Sequence, residues 1–137
     1  MDPAEQLQKY RTRGVVVDSN LLLLLFVGSY ERGKIRANSR LARFSEGDYD
    51  ILVRVLERFK LIITTPNILT EVSNLSSGIP GGEKEAYFAA FAARLSRLDE
   101  QYVASSRAAL ENRWAKFGLT DAVVATVAGN NYLVSSD

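Results

Sequence analysis

Four acidic residues in this sequence have the types and positions that a metal-dependent active site needs: Asp18, Glu71, Asp121 and Asp137. Asp18 directly follows a run of three valines, and Asp137 follows the apolar run Tyr132–Ser135. Parallel strands place their carboxyl ends at one edge of a sheet, so these two acids are expected at the same edge. Glu71 lies in a predicted helix that begins near that edge, and Asp121 heads the helix leading to the last strand. Carboxylates this close repel one another unless a cation lies between them, and oxygen ligands favour Mg²⁺ or Mn²⁺.

Each of these acids also has an ordinary structural explanation. Asp18 and Asp121 suit helix N-termini, where Asp is a preferred capping residue. Glu71 can face solvent from its helix, and Asp137 is the last residue of the sequence. Both explanations stay open for each acid taken alone, and it is the ordered set of four that favours a metal site.

The composition restricts which chemistry these acids can share. The 137 residues include no cysteine and no histidine, which excludes disulfides, thiolate chemistry, histidine acid–base catalysis and the usual zinc ligands. With 17 basic and 16 acidic residues the formal net charge is +1, so no overall positive field indicates a nucleic-acid partner. The longest apolar run, Leu21–Val27, is far shorter than the ~20 residues of a membrane span, and the N-terminus does not resemble a signal peptide. We therefore expect one domain in a cytoplasmic protein with no membrane partner.

The first half of the chain predicts alternating strands and helices that would position Asp18 and Glu71. A buried strand precedes Asp18, and an apolar helix over Leu21–Val27 follows it, with Gly28 as the expected end. Ser45 is the expected N-cap of an amphipathic helix that leads to a second buried strand, Leu61–Thr64. Thr65 and Pro66 then open the helix that carries Glu71, because Pro is favoured at the first helical position.

The second half predicts helices that lead to one more strand. The glycine-rich segment Ser76–Gly82 lacks the Lys-Ser/Thr ending of a P-loop and is expected to be a plain loop. We expect a helix over Glu83–Leu98, a short strand over Gln101–Ala104, and a helix from Ser105 or Ser106 to Lys116. The predicted core side of the Glu83–Leu98 helix carries an apolar stripe: Phe88, Phe91, Ala92, Leu95 and Leu98. A helix from Thr120 to Ala128 then precedes the last strand. This order predicts a three-layer α/β/α fold with a central, mainly parallel sheet.

A basic segment runs from Tyr30 to Arg43, and such clusters often contact phosphates. Its candidates for gripping an RNA backbone are Arg32, Lys34, Arg36 and Arg40. The alternative is a solvated surface with ordinary charged residues, which is the usual role of a charge run.

Taken together, these motifs resemble a PIN domain, the metal-dependent ribonuclease fold of VapC-type toxins and related RNA-processing nucleases. The resemblance covers nearly the whole chain: the motifs are Val15–Asn20, Thr65–Val72, Phe117–Ala122 and Tyr132–Asp137, each carrying one acid. The segment between Asp18 and Glu71 is longer than in the compact toxins, and the family usually continues beyond the fourth acid. We therefore expect a single PIN-like domain over 1–137, truncated at its C-terminus.

The resemblance implies a Mg²⁺- or Mn²⁺-dependent endoribonuclease in which the four acids bind the metal and carry catalysis. It also implies polar neighbours that orient these carboxylates: Ser19, Asn20, Thr120 and Ser135. RNA is the implied substrate, and a cognate antitoxin and a homodimer are implied if the chain belongs to the toxins. The leading alternative is the same fold without turnover, binding RNA or a protein.

Other acidic-site α/β domains resemble the chain less. An aspartate phosphatase would need a second Asp where Asn20 stands, and a receiver domain would need a late lysine at a strand end.

Overall fold

The computed structural model describes residues 14–110 and 132–134, and the chain there is a mixed α/β protein. Its four strands form one parallel sheet in the order β3-β2-β1-β4. The elements are β1 (Gly14–Val17), α1 (Ser19–Tyr30), α2 (Lys34–Ala37), α3 (Glu46–Leu56), β2 (Leu61–Thr64), α4 (Pro66–Leu75), α5 (Lys84–Leu95), β3 (Asp99–Glu100), α6 (Ser105–Ala108) and β4 (Tyr132–Val134), with short 3-10 turns at Ser39–Leu41, Ser76–Gly78 and Gly81–Glu83. The predicted α/β class and parallel sheet are confirmed, and the arrangement in three layers stays a prediction.

Strand β1 is buried along its whole length between β2 and β4. Val16 pairs with Ile63 of β2 on one side and with Leu133 of β4 on the other. A run of valines buried on both faces suits this central position, because β-branched side chains fit a parallel sheet covered by other elements. The predicted strand is confirmed, and its end fixes the position of Asp18.

Helix α1 is longer than predicted at both ends. The expected end at Gly28 is wrong, because the helix continues through this buried glycine to Tyr30. A Cβ at Gly28 would overlap the ring of Tyr49 on α3, whose hydroxyl lies 3.1 Å from Ser29 Oγ. Gly28 therefore serves close helix packing rather than helix termination.

The predicted N-terminal ends of α3 and α4 are confirmed. Ser45 Oγ accepts a hydrogen bond from Asp48 N at 3.1 Å, and Asp48 Oδ2 accepts one from Ser45 N at 2.9 Å, which completes a capping box. Thr65 Oγ1 accepts a hydrogen bond from the amide of Ile68 at 3.2 Å, and Pro66 is the first helical residue. Both helices therefore begin where local sequence chemistry placed them.

Helix α5 occupies a shorter range than the predicted Glu83–Leu98, and its buried side is rotated from the expected stripe. Tyr87 is 1% exposed and Phe91 is 7% exposed, whereas Phe88 is 36% exposed. Ser76 Oγ donates to Val72 O at 2.8 Å and lies 2.7 Å from the Tyr87 hydroxyl, so Tyr87 is the donor of the second bond. This buried pair draws the helix toward Tyr87, and Ala92 of the expected stripe is exposed.

The third predicted strand lies at a different position in the sequence. The observed β3 is Asp99–Glu100, which pairs with Ile63 and Thr64, whereas Gln101–Ala104 was expected. Gln101 N donates to Thr64 O at 2.8 Å, so the ladder ends at the first residue of the expected strand. Charged residues are disfavoured inside sheets but are common on edge strands, where they discourage pairing with other chains.

The predicted helix that starts at Ser105 begins as α6 within the described residues. The predicted continuation to Lys116 is wrong at its first residues, because α6 ends at Ala108 and the chain turns at Ala109 and Leu110. The rest of that prediction and the helix from Thr120 to Ala128 fall outside the described residues. The predicted last strand is observed as β4, parallel to β1. Within the described ranges, no helix has the length and hydrophobicity needed to cross a bilayer.

Candidate functional site

Asp18 lies at the carboxyl edge of the sheet, one residue beyond β1. Along the chain, β2 and β3 build the sheet outward from one side of β1, and β4 joins on the other side. The strand order therefore reverses between β1 and β4, and open α/β sheets bind their ligands in the crevice beyond the carboxyl ends at such a point. Val17 pairs with Val134, the last residue of β4, so β4 ends at this same edge.

The side chain of Asp18 is half-buried and caps helix α1. Its Oδ1 atom accepts a hydrogen bond from Leu21 N at 3.0 Å. The capping role weighed from the sequence is therefore present. A carboxylate has about four lone-pair sites, so this bond is compatible with metal ligation by the same group. Ser19 is buried and Asn20 is half-buried in the first turn of α1, beside the acid they were predicted to orient.

Glu71 lies in the middle of α4, a helix that begins two residues after the end of β2 and packs against α1. Its side chain is exposed and makes no hydrogen bond or ion pair with the described residues. It lines an open, polar depression of about 390 Å³, which we call the α4 trough and define by its described lining residues, Pro66, Asn67, Thr70, Glu71 and Asn74. The sequence prediction singled out Glu71 and missed its three polar neighbours. Their signal was a polar spacing of i, i+3 and i+7 opposite the buried Ile68 and Val72.

The other predicted site residues lie outside the described part of the chain: Asp121, Asp137, Thr120 and Ser135. Among residues 14–110, no three His, Cys, Asp or Glu side chains group closely enough to hold a metal ion. Two of the four predicted ligands, Asp18 and Glu71, fall within that range, and both offer the oxygen donors that Mg²⁺ and Mn²⁺ prefer. The described donors therefore fit a hard cation in type.

Arg32, the first of the predicted RNA-binding residues, is held by two acids of α3. Its Nη2 and Nε atoms lie 2.7 Å and 3.1 Å from the two carboxylate oxygens of Asp50, and Nη1 lies 3.1 Å from Glu46 Oε2. The hydrogen bond from Arg32 lowers the pKa of Asp50 below its usual range. An arginine bonded in this two-pronged way has fewer donors to offer a phosphate.

The remaining residues of the basic segment differ in how far acids compensate their charge. Lys34 Nζ lies 2.9 Å from Glu83 Oε2, which raises the lysine pKa, and Arg36 Nε lies 3.7 Å from Glu46 Oε1. Arg40 is exposed and makes no ion pair with the described residues. Of the four predicted contacts, Arg40 therefore offers the least compensated charge, and RNA binding by this segment stays a prediction.

Thr64 is another polar residue at this edge that the sequence prediction did not single out. It is fully buried as the last residue of β2, and its Oγ1 atom has no hydrogen-bond partner among the described residues. Extending the β1–β2 register by one residue places Thr64 beside Val17, immediately before Asp18. A buried hydroxyl without a partner is uncommon. This one lies on β2, the strand next to β1, opposite the residue that precedes Asp18.

A second depression, also of about 390 Å³, lies between α1 and α3 and is mainly apolar. Leu21 and Leu24 form one wall, Ile51 and Val55 form the other, and Ile51 is 59% exposed. Within the Leu21–Val27 run, Leu21 is partly exposed and the other residues are buried, so the run mainly forms core.

No protein-family model, curated protein or solved structure matches this chain.

Proposed function

We propose that this chain hydrolyses RNA phosphodiester bonds with Mg²⁺ or Mn²⁺ held at the carboxyl edge of its parallel sheet. The observation that supports this most directly is the position of Asp18, which follows the central strand where the strand order reverses. The second acid, Glu71, lies on a helix that begins at this edge and leaves its carboxylate open to solvent. The choice of RNA as substrate comes from the resemblance of the four acidic motifs to PIN domains.

In this proposal the acidic residues would hold the metal ion, and a basic residue would hold the substrate. Asp18 and Glu71 would hold the ion together with Asp121 and Asp137. Bound there, the ion would lower the pKa of the attacking water and offset negative charge on the phosphate. Arg40 would contact the RNA backbone, since an exposed and uncompensated guanidinium attracts phosphate.

The proposal is tested first by Mn²⁺ titration in a calorimeter, using the parent and the variants Asp18→Asn, Glu71→Gln and Asp121→Asn. Replacing residues that only orient a ligand costs about 10–100-fold in metal affinity, so losing a direct ligand should cost at least about tenfold. Glu85→Gln is the matched control, because Glu85 is an exposed glutamate in the first turn of α5 and outside the α4 trough. It should bind Mn²⁺ as the parent does.

Cleavage of a structured RNA in Mn²⁺ then separates the nuclease from its alternative. The parent should cut the RNA, and Asp18→Asn should cut it at least about a hundredfold more slowly, as expected when a metal ligand is lost. RNA binding without cleavage, or Mn²⁺ binding that the three variants leave unchanged, would contradict the proposal. The first of these results would instead support a PIN-like module that binds RNA without turnover.

A further inference from the structure

The α4 trough has an unusual composition for the solvent-facing side of a helix. Asn67, Thr70, Glu71 and Asn74 follow one another at helical spacing on one face, and Glu71 is the single charged residue among the described lining residues. None of these four side chains makes a hydrogen bond or ion pair with the described part of the chain. The trough therefore presents amide and hydroxyl groups whose donors and acceptors are open to a ligand.

The chemistry of the trough suits a neutral polar ligand better than a phosphate. The described lining contains no lysine or arginine, and the Glu71 carboxylate would repel an anion. The start of α4 does not offer a set of free amides either, since Pro66 has no N–H and Thr65 accepts the amides of Ile68 and Leu69. The volume lies near the lower end of the range for small-ligand sites, about 300–1,000 Å³.

We propose that the α4 trough binds an unpaired base of the RNA substrate and that Asn67 and Asn74 select adenine. This inference rests on the proposed function, because it takes RNA as the ligand and Glu71 as part of the active site. An asparagine carboxamide places one donor beside one acceptor, and adenine places its N6 donor beside its N7 acceptor, so the two edges match. On this Hoogsteen edge guanine offers two adjacent acceptors, which match an arginine, and the pyrimidines have no N7, so reading this edge distinguishes adenine from the other bases. Single-stranded RNA exposes such base edges to side chains.

The two asparagines can act on the same stretch of RNA. They lie seven residues apart, which is about two helical turns or about 10.5 Å along the axis, with Glu71 between them. A strand lying along the trough would then bring its phosphate near the metal ion that Glu71 would hold under the proposed function, while a base edge lies against an amide. Base selection would thereby be coupled to the position of the cleaved bond.

The test compares binding of fluorescein-labelled five-nucleotide RNAs made only of adenosine, cytidine or uridine, followed by fluorescence anisotropy. The Asp18→Asn variant in Mg²⁺ is the host, because asparagine preserves the helix cap while the lost carboxylate prevents cleavage under the proposed function. The adenosine RNA should bind about fivefold or more tightly than the uridine RNA, the lower end of what a bidentate base contact provides. Asn67→Ala or Asn74→Ala should reduce that ratio at least about threefold. Ser73→Ala, on the same helix but outside the trough, should leave the ratio unchanged.

The outcomes separate this inference from the proposed function. Equal binding of the three RNAs, or an adenosine preference that both asparagine variants retain, would overturn base selection by the trough even if the parent cleaves RNA. An adenosine preference that either asparagine variant reduces would support the trough, and if the parent then fails to cleave RNA in Mn²⁺, the nuclease proposal alone would fail.

Discussion

Replacing Asp18 by asparagine and by alanine separates its capping role from its proposed metal role. Asparagine caps helices about as well as aspartate, so Asp18→Asn should retain the hydrogen bond from Leu21 that is 3.0 Å long in the parent. The variant loses the favourable contact of a negative charge with the start of α1, which is worth about 0.3–1 kcal/mol. No other acid lies in that first turn to replace this charge.

Asp18→Ala should be distinctly less stable, because it loses both contributions. Loss of the cap costs about 0.5–2 kcal/mol, and together with the charge the free energy of unfolding should fall by about 1–3 kcal/mol. Urea unfolding in EDTA measures both variants without any contribution from bound metal. If Asp18→Asn is destabilised as much as Asp18→Ala, the carboxamide does not replace the cap and this reasoning is wrong.

The same proteins in Mn²⁺ report on the metal role. A ligand present at 100 times its dissociation constant stabilises the folded state by about 2.7 kcal/mol. The parent should gain that amount, whereas both variants should gain little, although only the alanine variant has lost the cap. An Asp18→Asn variant that Mn²⁺ stabilises as strongly as the parent would show that Asp18 is a cap and not a ligand.

Four further predictions concern a buried hydrogen bond, the pH dependence it brings, a buried glycine and the basic segment. Ser76→Ala leaves the buried Tyr87 hydroxyl without an acceptor and should cost about 1–3 kcal/mol, whereas Tyr87→Phe should cost about 0.5–1.5 kcal/mol, both measured by urea unfolding. Burial raises the pKa of the Tyr87 hydroxyl in the folded protein above its unfolded pKa of about 10. The contribution of Tyr87 to the free energy of unfolding should therefore be complete below about pH 10 and should fall as the pH rises through the pKa of the folded protein. Gly28→Ala should lower stability by about 1–3 kcal/mol through overpacking, despite the better helix propensity of alanine. Arg40→Glu should weaken RNA binding more than Arg32→Glu at low salt, as measured by fluorescence anisotropy.

Each of these predictions has a result that would contradict it. Equal costs for the Ser76 and Tyr87 variants would mean that the serine is not the acceptor of the tyrosine hydroxyl. Tyr87→Phe serves as the control for the pH series and should lose less stability above pH 10 than the parent. A Gly28→Ala variant as stable as the parent would show that the ring beside it moves aside at no cost. Equal loss of RNA binding in the two arginine variants would mean that the acids beside Arg32 do not compete with phosphate.

The parts of the fold that sequence predicts well are those fixed by neighbouring residues. The valine strand that ends at Asp18 and the caps at Ser45 and Thr65 depend on contacts within a few positions along the chain. The end of α1 was wrong for the complementary reason. A glycine at this position locally favours a helix end. In the structure, however, Gly28 is required because the ring of Tyr49 on α3, about twenty residues along the chain, packs against it. Local chemistry cannot distinguish a glycine that ends a helix from one that admits a neighbour.

The strand order of the sheet is likewise set by contacts that no local pattern contains. Strand polarity was enough to predict that β1 and β4 share an edge, but not that β4 would join β1 on the side opposite β2. That reversal turns Asp18 from an ordinary strand-end acid into one at the usual ligand position of such sheets. The third strand was misplaced because β3 consists of two acidic residues, which propensity assigns to a loop.

The basic segment shows why a charge run on the sequence overstates the field that a ligand meets. Arg32 and Lys34 have acidic partners 14, 18 and 49 residues along the chain, on α3 and at the start of α5. The fold brings these acids against the basic side chains, so the positive charge of Arg32 and Lys34 is largely compensated within the protein. Arg40 makes no ion pair with the described residues and keeps its charge exposed. Under the proposed function, electrostatic attraction of RNA should therefore depend on the few cations that the fold leaves uncompensated, and we expect base contacts in the α4 trough to contribute more to the choice of substrate.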